Sequence, residues 1–169
     1  MHRTIKLLLL LIVSVMLLLA VATAYATAPT QTTGMYQFNT AEFAFIRQAD
    51  GNSIWDETLT FSNNGTNPDD LTGPSTVHVT CVVRGVFPAG DWTCQGSEML
   101  EDATLAGKVC DLNFNIVVKV DDAFGPNENL QGKWNITSGT CGDESVHGSG
   151  SFEGVLAFGE YNLNYHFEP

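Results

Sequence analysis

Apolar and polar residues alternate with a period of two along most of the chain, as in strands with one face buried and the other in water. The longest run places Cys110, Leu112, Phe114, Ile116, Val118 and Val120 on one parity, with Asp111, Asn113, Asn115 and Lys119 on the other. Near the C-terminus Tyr161, Leu163, Tyr165 and Phe167 alternate with Asn162, Asn164 and His166. Just before them Val146, Gly148, Gly150, Phe152, Gly154 and Leu156 share one parity. Glycine on an apolar parity lets a sheet bend sharply, or lets a bulky neighbour such as Trp134 lie across the backbone. Val77, Val79, Cys81 and Val83 form a further strand, and the FPAG turn after them leads into DWTCQGSEML, which predicts a hairpin.

A second hairpin is predicted upstream, where Phe43, Phe45 and Arg47 precede ADGNS and Trp55, Glu57, Leu59 and Phe61 follow it. For both apolar faces to meet, Phe43 lies opposite Leu59, Phe45 opposite Glu57 and Arg47 opposite Trp55, across an odd-numbered loop centred on Gly51. Glu57 and Arg47 then share an otherwise apolar face. One reading is an ion pair at the open end of the sheet. The other makes Glu57 a lone polar group inside a ligand cavity, able to orient a ligand or take a proton.

FSNNGTNPDDLTGPS and DDAFGPNEN are dense in turn residues and read as loops. About eight strands joined mostly by short turns result, with no amphipathic helical window after the N-terminal segment. The predicted fold is all-β, an antiparallel closed or nearly closed β-barrel of about eight strands; the alternative is a two-sheet β-sandwich. Closure would remove the edges that recruit other chains, and glycine on the inner parity near the C-terminus favours it.

At the N-terminus Arg3 and Lys6 precede an apolar run from Leu7 to Ala22, with small residues at Ala22, Ala24, Ala26 and Ala28. This is the layout of a secretory signal peptide over residues 1–26, the alternative being an uncleaved membrane anchor. Residues 27–34, TAPTQTTG, read as a flexible leader, and residues 35–169 as a single β-barrel domain. Cleavage leaves five basic residues, Arg47, Arg84, Lys108, Lys119 and Lys133, against nineteen acidic ones, a net charge of −14. Such a surface repels phosphate backbones and anionic headgroups, so neither nucleic acid nor a membrane surface is an expected partner.

All four cysteines, Cys81, Cys94, Cys110 and Cys141, lie in the exported part, which predicts a secreted or extracytoplasmic protein with two disulfides. A symmetric hairpin about the Phe87-Pro88 turn sets Cys81 opposite Cys94, leaving Cys110 for Cys141; three pairings are open in principle. No two cysteines have the close spacing of a zinc ribbon or finger.

No nucleophile elbow, paired metal-binding histidines, phosphate-cradling loop or dinucleotide fingerprint is present, and no cofactor or metal is expected. His78, His147 and His166 fall on polar parities of separate strands, as surface histidines do. Asp69 and Asp70 lack the spaced partners of a calcium loop. Asn64-Gly65-Thr66 and Asn135-Ile136-Thr137 are acceptor triplets for glycosylation, relevant only in a host that modifies secreted asparagines.

From Trp134 onward the chain resembles small bacterial barrel proteins classed as a domain of unknown function, similar in fold to the allene oxide cyclase barrel within the wider lipocalin-like group. The likeness rests on Trp134, the Ser138-Gly139-Thr140 turn, Gly148-Ser149-Gly150-Ser151-Phe152 and the spaced aromatics from Tyr161 to Phe167, over residues 130–168. Cys141 stands where that turn usually carries glycine, which implies an added disulfide there. The resemblance implies a barrel and brings no active site, because the cyclase's catalytic residues do not map onto this chain.

Three functions follow. The first is a secreted barrel holding a small apolar or amphipathic ligand, lined by Phe45, Trp55, Phe114 and Trp134, with Glu57 or Arg47 to orient it. The second is an isomerase- or cyclase-like enzyme acting on an apolar substrate, for which Glu57 is the one catalytic candidate. The third is a non-catalytic structural or interaction exoprotein, which an exposed contiguous apolar patch would favour.

Overall fold

The computed structural model describes residues 29–168; the expected signal peptide, residues 1–26, lies outside them. Eight strands follow in chain order: β1 (Thr30–Ala49), β2 (Asn52–Gly65), β3 (Gly73–Arg84), β4 (Gly90–Leu105), β5 (Lys108–Ala123), β6 (Asn129–Cys141), β7 (Glu144–Gly154) and β8 (Phe158–Glu168). Each pairs antiparallel with the next, and β8 pairs back onto β1, so the sheet closes as an up-and-down barrel. The closing β1–β8 ladder decides against a sandwich. No helix among the described residues is long and apolar enough to cross a membrane.

β1 begins earlier than the sequence indicated. Residues 30–34, expected as leader, pair with Tyr165 through Tyr161 of β8. Threonines hide the alternation there, because Thr32 faces inward yet is polar: it is fully buried and its hydroxyl accepts the Leu71 N–H at 2.8 Å. A side chain on Gly34 would run into the Tyr161 hydroxyl, so glycine is required at that crossing.

The β1–β2 register also differs from the expected one. The hairpin turns on Asp50 and Gly51 alone, with φ of 52° and 78°, both in the left-handed region that a two-residue Asp-Gly turn demands. Phe43 therefore lies opposite Glu57 and Phe45 opposite Trp55, while a register shift between Phe45 and Arg47 sets Arg47 opposite Ile54. A one-residue bulge moves every following side chain to the other face. Arg47 thus leaves the face that carries Glu57, and the expected ion pair does not form.

Inside, Trp134 crosses the barrel wall at Gly150, where any side chain would collide with its indole nitrogen, and it stacks on Phe114 with ring centroids 5.1 Å apart. Both disulfides lie on the buried face, Cys81–Cys94 between β3 and β4 and Cys110–Cys141 between β5 and β6, each with Cα atoms 4.1 Å apart. In an up-and-down barrel alternate turns gather at the same end. The β2–β3 loop folds across one end, and its Leu71 is fully buried beneath it. Tyr161 donates its hydroxyl hydrogen to the Leu71 carbonyl. Asp70 braces the loop by accepting the Asn67 N–H at 2.7 Å and the Thr33 N–H at 3.3 Å. Burial works against the Asp70 charge, but hydrogen bonds from Thr32, Asn67 and Thr33 outweigh it and hold the carboxyl below its ordinary range.

Candidate ligand cavity

The inward side chains leave a cavity of about 60 Å³ to which all eight strands contribute. That is room for two waters or a group of about three heavy atoms, judged against the ~150 Å³ cavity that holds benzene. One row of the barrel runs Glu57, Val79, Gly96, Ile116, Trp134 and Gly150 across successive strands. Gly96 lies close against the β3 backbone, where a side chain would meet the His78 carbonyl, and it adds no side chain to the interior at this level. Aromatic rings close much of the remaining wall, with Trp92, Trp134, Phe152 and Tyr36 among them.

Two carboxylates face this space. Glu57, on the buried parity of β2, is only 3% exposed, and neither of its carboxylate oxygens has a hydrogen-bond partner among the described residues. Burial pushes its carboxyl up to about 7. Glu98 on β4 is 6% exposed. Burial raises its carboxyl to about 7 as well, with a hydrogen bond from Ser75 pulling the other way. Asn63 donates to that Ser75 hydroxyl at 3.2 Å. No lysine, arginine or histidine lines the cavity.

The lining phenols are neutral and engaged. Burial, helped by the Glu128 charge, raises the Tyr36 hydroxyl, which donates to the Val155 carbonyl at 2.9 Å. Burial and Asp70 raise Tyr161 in the same sense. The Trp134 indole N–H donates to the Asn162 carbonyl at 3.1 Å. Trp92 differs, since its buried Nε1 lacks a partner among the described residues.

The barrel end opposite the Leu71 loop carries a chain of aromatic rings. Phe87, in the β3–β4 turn, stacks on Trp55 at 3.8 Å and on Trp92 at 5.7 Å. Phe43 meets Phe87 edge-on, Phe45 meets Trp55, and Phe124 meets Trp92. Phe45 and Phe124 remain 56% and 59% exposed, so this rim is an apolar surface as well as a cover.

Of the residues expected to line a ligand site, the structure brings Glu57 and Trp134 to the cavity. Phe114 is fully buried, stacked against Trp134. Trp55 and Phe45 belong to the rim, and Arg47 is exposed on the outer face. Glu98 was missed, although it shares a parity with Trp92, Cys94 and Leu100 and was legible there. Tyr36, Asn63 and Tyr161 carry no sequence signal that separates them from ordinary core positions. His147 and His166 stack at 5.6 Å on neighbouring strands. Among the described residues no group of three or more histidine, cysteine or acidic side chains is placed to hold a metal.

Fold and site together define a disulfide-tied, eight-stranded antiparallel barrel with an acidic, aromatic-walled interior. No protein-family model matches the chain, and no curated protein matches it. Among solved structures it is similar to the crystal structure of a protein with unknown function from the DUF3224 family of Shewanella oneidensis MR-1. The TM-score is 0.51 at 15% identity, covering 83% of this chain and 98% of that one. At that identity the likeness is one of fold: a barrel shared with a family of unknown function. The expected likeness to the allene oxide cyclase barrel is not shown. Two disulfides fit an oxidising, extracytoplasmic compartment.

Proposed function

We propose that this is an exported barrel protein that holds a small apolar or amphipathic molecule in its interior, with the polar end of that molecule against Glu57. The observation that carries the reading is the Glu57 carboxylate, which is buried without a partner and faces an apolar cavity. Burying an unpaired carboxyl costs several kcal/mol relative to an apolar side chain. A fold has reason to keep that cost where something else completes the site. Export is supported by the apolar N-terminal segment with its small residues and by the two disulfides. Native mass spectrometry of protein purified from its own host is the test. A retained small molecule that is lost in Glu57→Gln is the expected result; a bare chain mass in every preparation counts against the reading.

Catalysis on an apolar substrate, of the isomerase or cyclase kind, is the second reading. It is favoured by carboxyls at Glu57 and Glu98 that sit near about 7, where a group both takes and gives protons at neutral pH. If an activity is found and Glu57→Gln leaves it intact, this reading fails.

A further inference from the structure

We infer that the molecule held in the barrel presents a cation to it: the interior is a site for a small organic ammonium group, paired with Glu57 and walled by aromatic faces. This rests on the ligand-cavity reading above and adds the chemistry of the ligand to it. What points there is an imbalance of hydrogen-bonding groups. The donors around the cavity are already committed, Tyr36 to Val155, Tyr161 to Leu71, Trp134 to Asn162 and Asn63 to Ser75. Trp92 Nε1 is the exception. The acceptors are in surplus, since both oxygens of Glu57 are free. A bound molecule must therefore bring donors, and an ammonium brings up to three with a full positive charge.

The charge balance agrees. The titratable groups lining the cavity are Glu57, Glu98, Tyr36 and Tyr161; the tyrosines are neutral, and no basic side chain is present to neutralise the acids. A carboxylate or phosphate ligand would meet like charge in a low-dielectric space wherever these acids are ionised, which disfavours fatty acids and other anions. An ammonium instead finds a counter-ion in Glu57, and the rings of Trp92, Trp134 and Phe152 line the same space, where an aromatic quadrupole attracts a cation. The net charge of −12 for the whole chain draws cations toward the protein from solution. The cavity of about 60 Å³ matches a head of the size of dimethylammonium and excludes larger quaternary groups unless the rim moves.

The test is titration of the purified protein with three probes of similar size: dimethylammonium, its neutral isostere dimethyl ether, and xenon as a purely apolar occupant. Side-chain NMR signals of Trp92 and Trp134 report occupancy. Dimethylammonium should bind saturably, at least tenfold more tightly than the ether, and more tightly at about pH 8 than at about pH 5, as the carboxyls ionise. Glu57→Gln should lose at least tenfold in affinity for dimethylammonium yet still admit xenon, which shows that the cavity is intact. Glu98→Gln, a second variant with the same side-chain volume, should lose less. Equal binding of ether and ammonium, or an unchanged affinity in Glu57→Gln, overturns the cation inference while leaving a ligand cavity. Failure of all three probes, xenon included, overturns the cavity reading itself and the inference with it.

Discussion

Trp134 passes over the backbone at Gly150 and donates its indole N–H to the Asn162 carbonyl of the next strand but one, at 3.1 Å. One glycine thus seats one of the two indoles of the cavity wall. Gly150→Val should push Trp134 off this seat and cost about 1–3 kcal/mol, the usual range for overpacking a filled interior. Urea unfolding would measure the loss, and a shift in tryptophan emission would show that the ring had moved. An unchanged midpoint would mean that Trp134 is not held there.

Stability should fall on both sides of mildly acidic pH, for opposite reasons. Glu57 and Glu98 titrate at about 7 in the fold against an ordinary 4.5, so their folded values are raised. The stability of a neutral buried carboxyl is fully present below about 4.5 and is lost as pH climbs through 7, by on the order of 3 kcal/mol for each group. Asp70 has the reverse sign: its value is depressed below 3.8, so its contribution is present above that and lost as pH falls further. Thermal melts from about pH 3 to about pH 9 should peak near about pH 4 to 5. Glu57→Gln should flatten the alkaline limb. A rise in Tm between pH 5 and pH 8 in the ligand-free protein would contradict this.

The two disulfides should differ in what they contribute. Cys81–Cys94 spans 13 residues and Cys110–Cys141 spans 31. On the chain-entropy account, replacing the first pair by alanines costs about 3 kcal/mol and the second about 4 kcal/mol. Denaturant midpoints of the two double variants, compared under one set of conditions, would reveal the order.

The rim can be separated from the core. Phe45 and Phe124 are more than half exposed, so Phe45→Ser and Phe124→Ser should change stability by no more than about 0.5 kcal/mol. Both should reduce binding of a hydrophobic dye and retention on a hydrophobic matrix. That combination would support a role for this surface in contacting other molecules, as the structural or interaction reading requires. A drop of several degrees in Tm would instead show that the rings are part of the packed interior.

Much of the fold was legible because barrel strands obey one simple period. The parities of β5 and β8, and the inward glycines of β7, follow directly from residue order. The start of β1 was not legible, since Thr30 through Gly34 show no apolar alternation and their partner strand lies at the far end of the chain. The β1–β2 register was misjudged for a related reason. Apolar matching chose the pairing, whereas the Asp50-Gly51 turn and the bulge near Ile46 set it. Glu57 was legible as a polar intruder on an apolar parity, but its isolation was not, because that depends on Arg47 having turned outward. Glu98 joins Glu57 across the intervening strand β3, through the registers of two successive hairpins, which no single local window of sequence contains.

The loop that folds Leu71 over one end of the barrel gives the molecule a direction. With that base stoppered the two ends differ: at the other, Phe87 stands between Trp55 and Trp92. Thr30 joins the wall beside the stopper, where Thr33 and Thr66 meet, so the aromatic rim points away from the side on which the strand ladder begins.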